Sequence, residues 1–335
     1  MSDFPARLRA RFSEQPFLLA PMAGVTDAAY RVMCRRRGCR TAYSEMVSVA
    51  GLAYASEKTW DLVLPAEEEP QICVQLFGSK PEQFAGAVEA VQERVGERLT
   101  AIDINMACPA RKVITKGEGS ALMEAPEAAE KIVEAAVAHA AVPVTVKMRR
   151  SFRSGPMLAP EFAARMEAAG AAAVAVHGRT AGQLYTGQAD WSVIDAVAAR
   201  VGVPVIGSGD VFSAADAARM LATTRADAVF VARGSYGNPW VFADALAASR
   251  GEEPAEHAAA ERVAALREHI ELLHDLGLHM RKGRTFAAWY LKGMPHAAAL
   301  RAEAVKCENY DDFIAFVDSV ESIVPCPQST QPTHG

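Results

Sequence analysis

The segment Val142-Pro143-Val144-Thr145-Val146-Lys147 decides how this chain folds. Its β-branched residues read as a strand buried on both faces, and the run closes on a lysine ammonium. Comparable apolar runs are predicted as strands near 17–23, 40–46, 71–77, 101–106, 172–176, 203–206 and 228–232, alongside 142–148. Ala-rich amphipathic stretches at 81–94, 126–139, 159–169 and 214–221 read as helices between them. Ser79 ahead of Lys80-Pro81, and Ser213 with Asp216 three residues on, are expected helix N-terminal signals.

Eight strands alternating with helices over roughly 220 residues suit a (β/α)8 TIM barrel. A doubly wound open sheet is the competing α/β layout. The first strand ends in Pro21-Met22-Ala23-Gly24, not in a Gly-rich dinucleotide fingerprint. Polar residues then separate the two layouts. Glu45, Gln75, Asn105, Lys147, His177 and Ser208 each stand at or just past the C-terminal end of a different predicted strand. A barrel gathers those ends around one pocket, whereas an open sheet spreads them apart.

Beyond about Trp240 the strand signal stops, and 261–276, 285–291, 297–303 and 310–324 are predicted helices. The expected organisation is a catalytic barrel over 1–243, a small C-terminal helical domain over 244–324, and a disordered tail over 325–335 rich in Pro, Ser, Thr and Gln. The chain has 335 residues, 50% hydrophobic and 22% charged, ordinary for a soluble protein with a substantial core. No apolar stretch approaches the ~18 residues of a membrane span. Arg7, Arg9 and Arg11 lack the apolar segment of a secretory signal. The six cysteines are scattered without a C-x-x-C pair, which suggests reduced thiols in the cytoplasm and no metal site. The net charge of -5 taken alone disfavours a nucleic-acid partner.

Chemistry concentrates at the strand ends. Asp103-Ile104-Asn105-Met106-Ala107-Cys108-Pro109 puts an amide and a thiol just after the fourth strand. Such a thiol serves as nucleophile, proton donor or metal ligand, or is only a small apolar filler. The following 110–120 segment, which includes Lys116, is basic and Gly-punctuated, as a mobile substrate-covering loop would be. Lys147 either snorkels to the rim or pairs with an anionic ligand. His177-Gly178-Arg179-Thr180 suggests ligand contact after the sixth strand. Gly207-Ser208-Gly209-Asp210 and Ala232-Arg233-Gly234 follow strands seven and eight, where barrels commonly hold a phosphate. Each taken singly is also an ordinary tight turn that needs small residues.

These motifs resemble those of the tRNA-dihydrouridine synthase family. The resemblance is carried by Leu19-Ala20-Pro21-Met22-Ala23-Gly24-Val25-Thr26-Asp27, Gln75-Leu76-Phe77-Gly78, Asn105 to Pro109, Gly119-Ser120-Ala121-Leu122, Val146-Lys147-Met148-Arg149 and His177-Gly178-Arg179-Thr180. It continues through Arg281-Lys282-Gly283-Arg284 and Trp289-Tyr290-Leu291-Lys292-Gly293. It implies an FMN enzyme that reduces the C5–C6 double bond of tRNA uridines, with NADPH as electron source. Pro21, Met22, Ala23 and Gln75 would line the flavin, Lys147 would contact its ring, and His177 would lie beside it. Ser208, Gly209, Asp210, Ala232 and Arg233 would hold the phosphate, although the family often has Asn where this chain has Ser208. Cys108 would protonate C5 and so must be a thiol, while Asn105 would bond the base or orient the pocket.

Substrate contacts are expected from Asn105, Lys116 and Arg179 and, in the helical part, from Arg281, Lys282, Arg284 and Lys292. Between residues 281 and 306 six basic residues face one acid, Glu303, and 31–40 adds five arginines without an acid. Both stretches suit a tRNA backbone, so the acidic total hides basic regions. A monomer is expected. The rivals are another FMN barrel acting on a free small molecule, and a tRNA-binding protein without catalysis.

Overall fold

The computed structural model describes residues 3–53 and 57–324. Eight parallel strands, β1 (Phe17–Leu19), β2 (Tyr43–Ser48), β3 (Ile72–Phe77), β4 (Leu99–Met106), β5 (Val144–Arg149), β6 (Ala173–His177), β7 (Val205–Ser208) and β8 (Ala228–Val231), run in the order β1-β8-β7-β6-β5-β4-β3-β2. A parallel bridge between Leu19 and Ala42 joins the two ends of that order. The fold is the expected TIM barrel, followed by a helical region.

Side chains alternate along each strand, so every second residue enters the barrel. The lower interior is apolar: Leu18, Ala20, Tyr43, Cys73, Ala101, Ala173, Ala175, Ile206, Ala228 and Phe230 pack in one cluster. Helix Phe4–Glu14 adds Leu8 and Phe12 to that cluster and so closes it from the N-terminal side. The arginines at 7, 9 and 11, which the sequence offered only as a failed signal, lie on this helix. Arg9 ties it down through Asp227 at 3.0 Å and the Gly202 carbonyl at 3.0 Å.

Two local expectations need correction. Ser79 does not cap the helix Pro81–Val95; Lys80 occupies the cap without a side-chain bond. Pro81 starts that helix by itself, because its fixed φ and missing N–H suit the first turn. The second strand begins at Tyr43, later than predicted, and slips register between Tyr43 and Met46. Ser44 Oγ holds this irregularity, donating to the Glu45 carbonyl at 2.7 Å and accepting from Gln75 N–H at 3.0 Å. Ser213, by contrast, caps Ala214–Thr223 through Asp216 N–H at 3.1 Å.

The chain divides into two compact units, the first comprising the described residues up to Gly234 with Trp240–Pro254, the second Ser235–Pro239 with those from Ala255 onward. The second unit holds helices Ala259–Asp275, Lys282–Tyr290, Ala297–Ala304 and Tyr310–Ile323. Leu266, Ile270, Leu273, Phe286, Phe313 and Val317 are buried there. Gly283 is required within its basic stretch, since an added Cβ would stand 2.7 Å from Ile270 Cδ1 and 2.8 Å from Phe313 Cζ. Among the described residues no helix is long and apolar enough to cross a membrane. The tail expected over 325–335 lies outside the described residues.

Candidate active site

Strand register places the polar residues side by side at the C-terminal ends. Asp103 of β4 pairs with Gln75 on one side and Thr145 on the other, Asn105 pairs with Lys147, and His177 with Arg149 and Ser208. One layer inside the barrel, Asp103 accepts from Thr145 Oγ1 at 2.5 Å and from Gln75 Nε2 at 2.7 Å. Gln75 Oε1 accepts from Asn105 Nδ2 at 2.8 Å. Asn105 Oδ1 in turn accepts the backbone N–H groups of Ala107 at 3.1 Å and Cys108 at 2.8 Å. Asn105 therefore commits its carbonyl to the backbone of the Cys108 segment. Gln75 keeps one N–H free of these bonds.

Cys108 is half-buried, and its backbone is held from both sides. Its carbonyl accepts from Ser120 N at 3.0 Å and Ser120 Oγ at 2.9 Å. Gly119, at φ +60°, passes so close that a Cβ would stand 2.8 Å from the Cys108 carbonyl oxygen. Arg149, itself buried, pins the preceding Ala107 carbonyl at 2.8 Å. The stretch expected as a loop over 110–120 forms helix Arg111–Ile114 and leads into a 3-10 segment, Gly119–Glu124. Val113 and Leu122 are buried in it, whereas Lys116 is exposed.

Lys147 is a buried cation with no hydrogen bond or ion pair to Nζ among the described residues. Burial and then the Arg149 charge push its pKa down to about 8, with Asp103 and Cys108 pulling the other way. Burial pushes Asp103 up to about 6 against the bonds from Gln75 and Thr145 and the Lys147 charge. His177 Nδ1 accepts from Arg179 N–H at 3.1 Å. Burial, followed by the charges of Lys147, Arg149, Arg179 and Arg233, holds His177 well below its ordinary value. It is thus a neutral imidazole whose proton sits on Nε2.

The turns after β7 and β8 meet. Gly209 takes φ +118°, and a Cβ there would lie 2.7 Å from Ala189 Cβ and 3.4 Å from the His177 ring. Asp210 accepts from Arg179 at 2.7 and 2.8 Å, from Ala189 N–H at 2.8 Å, and lies 3.4 Å from Arg233. Burial raises the Asp210 carboxyl, and these donors outweigh it and hold the group below its ordinary range. Arg233 lies 4.8 Å from the ring centres of both Tyr185 and Phe212. Two arginines and one aspartate leave this corner with a single positive charge.

Not every expected residue joins this mouth in the same capacity. Pro21, Met22 and Ala23 form the open turn after β1, closed by Thr26 on Met22 and by Gly24 N–H on Glu45. Arg179 is buried and spent within the protein, on Asp210 and the Thr186 and Gly187 carbonyls. Arg281, Lys282, Arg284 and Lys292 belong to the second unit. Arg281 and Lys292 are exposed, whereas Arg284 donates to the Cys307 carbonyl at 2.8 Å. The 31–40 arginines are not a free basic surface. Arg31 and Arg35 bind Glu69, Arg36 binds Glu68 at 2.7 Å, and Arg37 covers Trp240. Their acids come from residues 68 and 69, too distant in sequence to be counted with them. Among the described residues no His/Cys/Asp/Glu group could hold a metal.

Sequence reasoning passed over Asp103, Thr145, Ser120 and Arg149. Asp103 and Thr145 had a detectable signal, since each stands two residues before a polar strand-end residue and so shares its face. Ser120 had none, because it reaches Cys108 only after the chain turns back.

The dihydrouridine synthase (Dus) family model matches residues 18–324. A tRNA-dihydrouridine synthase B from Xanthomonas axonopodis pv. citri is 37% identical over 302 residues, 89% of this chain and 90% of that one. A probable tRNA-dihydrouridine synthase from Rhodobacter capsulatus is 38% identical over 321 residues, 92% of this chain and 95% of that one. Among solved structures, histamine dehydrogenase from Rhizobium sp. 4-9 shares the fold, at TM-score 0.52 and 13% identity, over 77% of this chain and 49% of the other. With its polar barrel mouth and a family match running almost end to end, the chain belongs to the dihydrouridine synthase family.

Proposed function

We propose that this protein is an FMN-dependent tRNA-dihydrouridine synthase, reducing the C5–C6 double bond of particular tRNA uridines at the expense of NADPH. One observation carries the reading: a half-buried thiol, Cys108, is mounted by Asn105 and Ser120 at the same strand ends as an unpaired buried cation and a neutral histidine. The names borne by the relatives support tRNA as the substrate.

The residues present suit a flavin mononucleotide. A buried ammonium that, among the described residues, no carboxylate meets at hydrogen-bond distance favours an electron-rich, anion-forming ring edge. A neutral His177 donates from Nε2 without adding charge. The positive corner of Arg179, Asp210 and Arg233, beside the close Gly209 turn, suits a phosphate. When bound, reduced FMN supplies the hydride equivalent for C6, and NADPH is the source of its electrons. Lys147, Gln75 and His177 would hold its ring, the turn from Pro21 to Ala23 would flank it, and Ser208, Gly209, Asp210, Ala232 and Arg233 would hold its phosphate.

The chain's own chemistry is proton delivery and exclusion of water. As negative charge accumulates on the uracil, Cys108 Sγ gives its proton to C5. Lys147 stabilises that charge from within the barrel. The target base must leave the tRNA stack to reach a site at the end of a barrel, so the protein binds an extruded nucleotide. Exposed Arg281 and Lys292, with Lys282, are assigned to the tRNA backbone, and Lys116 to the substrate near the mouth. The second unit then serves as the tRNA-contacting part of a cytoplasmic enzyme.

Incubating the full-length protein with FMN, NADPH and an unmodified tRNA transcript should produce dihydrouridine, read as a gain of two hydrogens on one uridine by mass spectrometry. A protein that retains no flavin, or that leaves the tRNA unchanged while reducing a free pyrimidine, sinks this assignment in favour of a small-molecule flavin barrel.

A further inference from the structure

We propose that Asp103 is a positioning residue that sets the stance of Cys108 through a one-way chain of hydrogen bonds, from Asp103 through Gln75 and Asn105 to the Cys108 backbone. The inference rests on the reading of Cys108 as the proton donor.

The direction of every link follows from the first. An ionised carboxylate only accepts, so Gln75 must turn its NH2 toward Asp103, as the 2.7 Å bond records. That leaves the Gln75 carbonyl facing Asn105, which must answer with its own NH2 at 2.8 Å. The Asn105 carbonyl is thereby aimed at the Ala107 and Cys108 N–H groups. Two amides that could each face either way are locked in series by one charge. Asp103 is itself held, because Thr145 Oγ1 donates to its other oxygen at 2.5 Å. The participants stand on β3, β4 and β5, so the chain runs across the barrel's interior and ends at the loop that carries the thiol.

Asp103 has no other evident purpose. It is fully buried, makes no ion pair with a hydrogen-bonded cation, and stands among Tyr43 and Cys73, with only the Lys147 charge felt nearby. A neutral apolar residue would fill the same layer without the desolvation cost of a carboxylate. What a carboxylate adds is the fixed polarity. Without it Gln75 is free to reverse, the Asn105 NH2 then meets a donor in place of its acceptor, and the Asn105 carbonyl is pushed out of line with the two backbone N–H groups it accepts from. The thiol then shifts relative to the base, and a displacement of about 1 Å at a reacting group is enough for roughly a hundredfold loss.

The test uses the full-length, FMN-loaded enzyme with tRNA, together with the rate of Cys108 alkylation by iodoacetamide in the absence of tRNA. Asp103→Leu should lower kcat about a hundredfold, leave KM for tRNA within about threefold, and change the alkylation rate more than threefold. Asp103→Asn should recover kcat to within about fivefold of wild type, since its amide oxygen still accepts from Gln75. Links in series are not additive, so Asp103→Leu added to Asn105→Ala should cost no more than about twofold beyond Asn105→Ala alone. Wild-type kcat in Asp103→Leu, an Asp103→Asn enzyme as slow as the leucine variant, or multiplicative losses in the double variant would each overturn the proposal. Should Asp103→Leu not fold, Thr145→Val carries the same cycle. Its expected threefold loss, roughly, must vanish in the Asn105→Ala background, and a loss that persists there overturns the chain. Wild-type turnover by Cys108→Ala would remove the proton-donor reading instead, and the alkylation rates would still decide whether Asp103 positions the thiol.

Discussion

Arg31 and Lys147 are both cations taken out of water, and the protein treats them in opposite ways. Arg31 is fully buried on helix Ala28–Arg35 and meets Glu69 twice, at 2.9 and 2.7 Å, plus the Thr26 and Leu64 carbonyls. Glu69 is drawn upward by burial, yet the charges and bonds of Arg31, then Arg35 and the Ala66 N–H, leave its carboxyl below the ordinary range. Among the described residues Lys147 has no such counterpart, and burial and the Arg149 charge loosen its proton to about 8. A closed set of charges is complete within the fold. An open one is completed by what binds.

The difference can be attacked experimentally. The largest effect belongs to the thiol of the open set: Cys108→Ala should lower dihydrouridine formation by about 10²–10⁴-fold while FMN stays bound and stability moves by less than about 0.5 kcal/mol. Turnover comes from discontinuous tRNA assays and stability from urea titration. Next comes the closed set. Glu69→Ala strands two buried guanidiniums and should cost about 3–5 kcal/mol by the same titration. A loss under 1 kcal/mol would mean that the backbone carbonyls alone suffice. Since the folded carboxyl titrates below its unfolded value, this contribution is present near neutrality and fades as pH falls through the folded pKa.

Lys147→Met should do the reverse of Glu69→Ala, leaving stability unchanged or slightly higher and weakening FMN by about 1.5–3 kcal/mol, measured by flavin fluorescence quenching. In the wild type, FMN affinity should fall as pH rises past about 8, because the ammonium is then lost. The apoprotein should gain stability between that point and the ordinary lysine pKa of about 10.4, where only the unfolded chain still holds the proton. An FMN affinity flat from pH 7 to 9 would show that Lys147 does not meet the cofactor as a cation. The smallest effect belongs to exposed cations. Replacing Arg281 and Lys292 with glutamate should reduce the salt slope of tRNA binding by about two, with little change in stability.

Much of the architecture was legible in the residues themselves. Helix Pro126–His139 begins at a proline and ends where its amphipathic pattern ends, and the polar strand ends announced the mouth. Helix Phe4–Glu14 was not legible, since only Leu8 and Phe12 mark its buried side and five of its residues, Arg7, Arg9, Arg11, Ser13 and Glu14, are polar or charged. The basic stretches show the sharper limit. Counted along the chain, 31–40 looks like an exposed cationic run. In the fold Arg31 and Arg35 are internal locks on Glu69 and Arg36 is paired at the surface with Glu68, because both acids arrive from the segment before β3. Arg179 likewise looked like a substrate contact and is engaged by Asp210.

The order of strands, the barrel and the identity of the chemical groups at its mouth follow from the amino-acid pattern, because alternation and strand-end position are local properties. Which cations are neutralised, which amides face which way and what steadies Cys108 are decided by tertiary structure alone. Arg31 meets Glu69 across 38 residues, and Gln75 meets Asp103 across 28. Hydrogen-bond direction and charge pairing depend on distances of a few ångströms in space, and chain order does not encode them.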